Sequence, residues 1–497
     1  MSHIGTHKTP VIYVDSSVKR GHADGFDCSD CACSVSPVTG TDSKYDNSTK
    51  AYTLLDEPFS FKMEIDEEFS LFYGIHHAPV VLNSSAQRLL TRSGKNIDLG
   101  SEKFSKIEKD ALNEMVRVGL LKPIGYLPTL HQHIDTLSTW VHVTDRCNLR
   151  CTYCYLPHRR DDMSWEIGFS IIEKIVKTAT SNQLEYIRLK YGGGEPLLRF
   201  DLIKKMHTYA KSLLSKGSII LSGVVLSNGT LFNKDTATDF LALGLNIMIS
   251  LDGRDILHDV HRSYAHGGGT HADAKNAISL AKEMGIQITV SVTITDKNVI
   301  DLPRLVSWLL DQRLRFTLNF YRSTSLASEE LPFSTDTIIT NMLEAYRIIE
   351  NNLPDECLLD TIVDRANLKS PHLHTCGVGQ NYLVFDTYGR LSKCQMHLYS
   401  GPENKRTSFP LEWARTSKEG VQNLSIEDKV DCASCQWKYW CTGGCALLTY
   451  KNTGRYDVRS PNCGIYQSLF PAAMRLEGLR LIKINQQASN NPITPHN

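Results

Sequence analysis

Thr144-Asp145-Arg146-Cys147-Asn148-Leu149-Arg150-Cys151-Thr152-Tyr153-Cys154 follows directly on the apolar run at residues 140–143, and its reading decides the fold. Residues 140–143 are a candidate strand, so three thiols stand at CxxxCxxC spacing just beyond a strand end. Three thiolates so spaced ligate three irons of a four-iron cluster and leave the fourth iron open to an outside ligand. Further candidate strands at residues 186–189, 219–226, 246–251, 286–294 and 316–320 alternate with helical patterns such as Ile171, Ile172, Ile175 and Val176. Six strand–helix units predict an α/β fold: a parallel sheet, closed or partly closed, with helices outside and functional residues at the carboxyl ends of its strands.

The cysteine spacing, Tyr153 before the last cysteine and the position after a first strand resemble the radical SAM superfamily. The resemblance implies a partial (β/α)6 barrel over residues 138–325. It also implies that Cys147, Cys151 and Cys154 hold a 4Fe–4S cluster whose open iron is chelated by S-adenosylmethionine. Reduction of that cluster then breaks the sulfonium and yields a 5′-deoxyadenosyl radical. Tyr191-Gly192-Gly193-Gly194-Glu195-Pro196 resembles the family's GGE motif. Gly193 and Gly194 are expected to let the backbone approach the ligand, and Glu195 to accept from the methionine amine. Ser227 and Asn228 end the third strand and suit ribose hydroxyls. Ser250 ends the fourth, and Arg262 downstream suits the methionine carboxylate. With Tyr153, these are the expected cofactor-binding residues; none is assigned a catalytic role.

Farther on, Cys376 and Cys394 flank Gly389, and Cys432, Cys435, Cys441, Cys445 and Cys463 follow at x2, x5, x3 and x17 spacing. This set resembles the seven-cysteine SPASM domain, placed at residues 373–465. The family's interleaved pattern implies two auxiliary clusters. Cys432, Cys435, Cys441 and Cys463 hold one; Cys376, Cys394 and Cys445 hold the other, nearer the barrel. The nearer set lacks a fourth ligand. Either it is open to a substrate thiolate, or Cys357 or an arm cysteine completes it, or it is a two-iron cluster. In sulfatase-maturing relatives an aspartate base follows the second cysteine of this domain. Here Gln395 stands there, and a carboxamide cannot accept a proton in that role.

The rest of the chain sets the frame. Its 497 residues carry Lys+Arg 54 against Asp+Glu 54, a zero formal charge that speaks against a nucleic-acid partner. No apolar run reaches the roughly 20 residues that span a bilayer, and the amino terminus lacks a secretory signal, so a cytoplasmic protein is expected. In that compartment fourteen cysteines point to clusters rather than disulfides. Residues 1–50 read as a flexible arm containing Cys28, Cys31 and Cys33, either a metal site, a substrate-like segment or free thiols. Residues 55–125 alternate apolar and polar from Phe59 to Asp66, then offer the cap Asn83-Ser84-Ser85-Ala86 and a second helix ending at Gly119. They resemble the winged-helix-like recognition element of ribosomal-peptide maturases, whose sheet edge takes an extended leader as an added strand. A helical linker is expected at residues 326–372, and a helix and tail at 466–497. The expected function is radical modification of a leader-bearing precursor peptide, preferentially a thioether or other side-chain cross-link, fed by an electron donor such as flavodoxin or ferredoxin. Formylglycine formation and a non-enzymatic iron–sulfur scaffold are the alternatives.

Overall fold

Strands rich in Ile, Val and Leu form the predicted parallel sheet. In the computed structural model they are Thr136–His142, Tyr186–Gly192, Ile220–Ser227, Leu245–Ser250, Ile288–Ile294 and Arg315–Phe320, side by side in chain order. The structure describes residues 9–15, 38–39, 51–55, 59–126, 130–324, 326–327, 331–399 and 407–490. Cys28, Cys31 and Cys33 lie outside the described residues. Parallel neighbours need long crossovers, and the helices Trp165–Ser181, Phe200–Leu214, Lys234–Leu243, His271–Glu283 and Leu302–Asp311 supply them. Alternation sorts the side chains. Leu137, Val141, Ile187, Leu189, Ile249, Val290 and Leu318 bury fully in the core that the outer helices complete. Each large aliphatic group buried in this way contributes roughly 1.5–3 kcal/mol. On the other face, Arg188, Lys190, Met248, Thr289 and Arg315 line a cavity of about 780 Å³ toward the strand starts.

The sheet does not stop at six strands. Tyr382–Phe385 pairs in parallel with Thr136–His142, Val384 opposite Trp140, and Leu391–Ser392 returns antiparallel beside it. The cysteine-rich segment is thus hydrogen-bonded to the barrel's first strand, an attachment the sequence reading did not foresee. Between them, residues 326–372 hold the helix Thr335–Asn351, and Cys463–Asn490 forms a long final helix.

At the amino-terminal side, an antiparallel sheet has the order Ile12–Tyr13, His77–Asn83, Phe69–Gly74, Ser60–Glu64. Asn83 caps the helix Ser84–Ser93, its Oδ1 accepting from Ala86 N at 2.9 Å, as its sequence position predicted. Ser105 and Glu108 form a capping box on Lys106–Arg117. Residues 9–15, expected within a flexible arm, are instead an edge of this sheet. Phe61 and Tyr73 pack on Trp440, and Tyr73 also stacks on Trp437 at 5.4 Å, so the module rests on the cysteine-rich segment.

Two buried barrel histidines give the fold an acid limit. Burial holds His207 and His258 down at about 4. His258 must also stay neutral for its Nδ1 to accept from Asp252 N at 3.2 Å. In the unfolded chain both would protonate near 6.5. Between pH 6.5 and 4 the unfolded state therefore binds more protons, and stability falls as pH is lowered; below about 4 the slope vanishes. Denaturant midpoints should drop across that window, by at most about 1.4 kcal/mol per pH unit per histidine. His207→Gln should flatten the slope; an unchanged slope in that variant would count against the assignment.

Candidate active site

The three cysteines sit on a loop that the second strand's glycine run holds in place. Gly194 N donates to Thr144 O and Glu195 N to Arg146 O, both at 2.8 Å. A Cβ on Gly194 would stand 2.3 Å from Arg146 O, and one on Gly193 2.5 Å from Thr144 O. These glycines were expected to make room for a ligand. What they approach is the backbone that carries the cysteines.

Glu195 is fully buried, and its carboxylate joins the ends of the second and third strands. Oε1 accepts from Leu197 N at 3.0 Å and Ser227 Oγ at 2.8 Å; Oε2 accepts from Asn228 N at 2.8 Å. Burial pushes its pKa up, while these donors oppose the shift. Asn228 Nδ2 reaches Asn148 Oδ1 at 2.9 Å, tying the third strand to the loop between Cys147 and Cys151. Glu195, Ser227 and Asn228 therefore brace the loop, whatever else they touch. Ser250 stands half-buried at the end of the fourth strand.

Tyr153 and Arg262 meet as well. Arg262 Nη1 donates to Tyr153 Oη at 2.6 Å, Tyr153 Oη donates to the Asp252 carboxylate, and Arg262 lies 3.5 Å from Asp252. Thr293 N and Asn298 Nδ2 fix Asp252 through Oδ1 and its carbonyl, each at 2.8 Å. Arg262, expected to meet a ligand carboxylate, already has a carboxylate in Asp252. Its Nε remains buried without a hydrogen-bond partner among the described residues, a donor left for an incoming acceptor. Asn298 was missed as a site residue, and Asp252 was noted only within the stretch Ser250-Leu251-Asp252-Gly253. The only sequence signal was Asp252 lying two residues past Ser250.

The thiols sort into three groups by the neighbours that perturb them. Burial first, then Glu195 and later Cys151 and Cys154, push Cys147 up to about 12. Burial and Cys151 push Cys154 up to about 11. Cys394 is driven to about 12 by burial, then by Cys445 and Cys376. Cys441 reaches about 12 through burial and the thiols of Cys432, Cys463 and Cys435. Soft donors in sets of three, three and four suit iron–sulfur clusters. No three His, Cys, Asp or Glu side chains among the described residues converge on a single-ion site. A cluster does not need them to, because it spreads its thiolates over separate irons.

Cys376, Cys394 and Cys445 pack with Trp140 and Leu226 of the barrel. Cys357 does not join them: it stands half-buried beside Glu477 and Arg480 of the final helix and lines the cavity at the strand starts. Gln395 Oε1 accepts from Tyr382 Oη at 3.1 Å. Lys429, 1% exposed, donates to Thr442 O at 2.9 Å and feels thiols of both downstream groups, Cys432, Cys441, Cys376 and Cys445. It is a buried countercharge that its sequence context did not reveal.

The radical SAM superfamily model matches residues 141–309. Those residues form a radical SAM domain. A protein of Methanocaldococcus jannaschii is 31% identical over 169 residues, 34% of this chain and 56% of that one. The match therefore spans little more than half of that relative. The Fe-coproporphyrin III synthase of Methanosarcina barkeri is 24% identical, with 65% of this chain and 86% of that protein aligned. The cysteine-type anaerobic sulfatase-maturating enzyme of Clostridium novyi is 23% identical, covering 66% and 92%. Among solved structures, native anSMEcpe with bound AdoMet and Kp18Cys peptide superposes with a TM-score of 0.58 at 17% identity. That superposition covers 71% of this chain and 99% of that one. The overlap shows that the two chains share a fold. No helix among the described residues is long and apolar enough to cross a membrane.

Proposed function

We propose that this chain is a cytoplasmic radical SAM peptide maturase with a winged-helix-like recognition module at residues 55–125 and a SPASM domain at residues 373–465. It cross-links side chains of a leader-bearing precursor peptide, preferentially through a thioether. The observation that carries this reading is the sorting of ten cysteines into one group on the barrel loop and two beyond it. Cys147, Cys151 and Cys154 would hold the first cluster. Cys376, Cys394 and Cys445 would hold a nearer auxiliary cluster, and Cys432, Cys435, Cys441 and Cys463 a farther one.

When bound, the first cluster and S-adenosylmethionine supply a radical able to remove a hydrogen from carbon. The chain's own residues do the rest. Glu195, Ser227 and Asn228 keep the loop in register with the strand ends. Tyr153, Asp252 and Arg262 form a buried polar wall with the Arg262 Nε donor left over. Trp140 and Leu226 pack between the barrel and the nearer thiol set. The incomplete nearer set favours capture of a substrate cysteine, since soft iron prefers thiolate to amide or water oxygen. A flavodoxin or ferredoxin would deliver the electron.

Formylglycine formation is the second reading, favoured by the similarity to the sulfatase-maturating enzyme. Against it stands Gln395, which cannot act as a base and is occupied by Tyr382.

The test uses the anaerobically reconstituted chain and a cysteine-bearing precursor peptide from a neighbouring short reading frame. We expect 5′-deoxyadenosine and a peptide lighter by two hydrogens with one free thiol fewer. A product that instead reacts with a carbonyl reagent would establish the sulfatase-type reading. Absence of 5′-deoxyadenosine would reject both. Deleting residues 55–125 is the wrong probe of recognition, because it would uncover Trp437 and Trp440; edge substitutions serve better.

A further inference from the structure

The edge strand of the amino-terminal sheet comes from far along the chain. Ile12 and Tyr13 pair antiparallel with Leu82 and Val81, and Asn83 N donates to Val11 O at 3.2 Å. Beyond this short ladder, side chains clamp both ends. Asn83 Oδ1 accepts from Val11 N at 3.0 Å, and Asn83 Nδ2 donates to Thr9 O at 2.9 Å. At the other end, Asn485 Nδ2 donates to Val14 O at 3.0 Å, and Arg480 Nη2 meets Asp15 Oδ2 at 2.6 Å. Arg480 is 4% exposed and is itself fixed by Glu477 at 2.7 Å and the Asp355 carbonyl at 2.6 Å.

The segment also alternates. Val11 and Tyr13 pack into the main core, Tyr13 against Phe69, while Ile12 and Val14 pack with Leu82, Leu112 and Met115 on the helical side. Ladder hydrogen bonds that ignore sequence, pockets for alternate side chains and polar clamps at the ends are how a sheet edge holds an extended peptide.

We propose that the edge of strand His77–Asn83, bounded by helix Lys106–Arg117 and the final helix, is a peptide-binding groove that residues 11–15 occupy in cis. The matching ligand is an extended segment with the pattern apolar-apolar-aromatic-apolar-acidic, as in Val11-Ile12-Tyr13-Val14-Asp15. This deepens the proposed function and rests on the reading of residues 55–125 as a recognition module. Tethering presents the arm at an effective concentration in the millimolar range, so a leader in trans must outcompete it. The arm thereby selects for leaders that share the pattern and are present in excess.

The probe is a fluorescent peptide of residues 7–17. A chain lacking residues 1–17 should bind it saturably, and the full chain at least about tenfold more weakly. In the truncated chain, peptides carrying Tyr13→Ala or Asp15→Lys should lose most of that affinity, which keeps the specificity test free of folding effects. Equal affinity for a scrambled peptide, equal binding by the full chain, or no binding by a truncated chain whose circular dichroism is unchanged would each overturn the proposal. Should the truncated chain fail to fold, a protease site placed at residues 40–45 of the full chain replaces it. After cleavage the arm should leave on dilution and be displaced by excess peptide, and retention against that excess would overturn the proposal. Neither arm of the test needs cofactor chemistry. Peptide binding without 5′-deoxyadenosine would sink the proposed reaction and leave the groove standing, and the converse result would do the opposite.

Discussion

Replacing Cys147, Cys151 and Cys154 together by Ala should abolish 5′-deoxyadenosine formation while leaving roughly two clusters' worth of iron. The three thiols share one loop where burial above all pushes their pKa values up, Cys147 to about 12 and Cys154 to about 11, so without metal they are held as neutral thiols. Only a metal that displaces those protons makes the loop a cluster site, and alanine removes that possibility. The downstream groups should survive, because their scaffold has its own bonds. His372 N donates to Tyr439 O at 2.7 Å, Ile426 N to Leu373 O at 2.8 Å, and Thr375 Oγ1 to the carbonyls of Thr442 and Gly444 at 2.9 and 2.8 Å. Iron analysis and Mössbauer spectra of the variant, with a cleavage assay, decide the matter. Persistent 5′-deoxyadenosine would mean that the radical originates elsewhere, and loss of all iron would mean that the three groups do not assemble independently.

What the sequence revealed follows from what is local in it. All six barrel strands were legible because each is a short stretch of aliphatic, aromatic and β-branched residues, and each landed within a few residues of its observed bounds. The cysteine spacings of the triplet and of Cys432 to Cys445 stand out because they are themselves local. Pairings across long separations were not. Tyr382–Phe385 joins Thr136–His142 across about 245 residues, and its four apolar residues looked like any buried segment. The strand Ile12–Tyr13 was hidden for the same reason, in a polar arm whose five apolar-to-acidic residues acquire meaning only against Asn83 and Arg480. Burial of charge was equally invisible. Lys429 and Asp252 sit in ordinary sequence contexts, and only packing shows that one faces two thiol groups and the other holds Tyr153 and Arg262.

The glycine run packs against the backbone of the cysteine loop, and this supports the second large prediction. Gly194→Ala should cost about 100-fold or more in 5′-deoxyadenosine formation and weaken the barrel cluster's signal before the downstream ones. The added Cβ would sit 2.3 Å from the carbonyl oxygen of Arg146 and 3.0 Å from that of Asp145, both backbone atoms that no side-chain rotation can move. The cysteine loop must therefore retreat by about 1 Å, a displacement on the scale that costs two decades in a positioned reaction. Retreat would also stretch the Gly194–Thr144 and Glu195–Arg146 hydrogen bonds, both 2.8 Å, which set the height of Cys147 above the strand ends. Gly217→Ala is the matched control, since its Cβ would meet only Leu214 O at 3.7 Å. The control should keep both cleavage and cluster spectra. If Gly194→Ala instead retained cleavage and lost only affinity for S-adenosylmethionine, the glycines would serve the ligand rather than the loop.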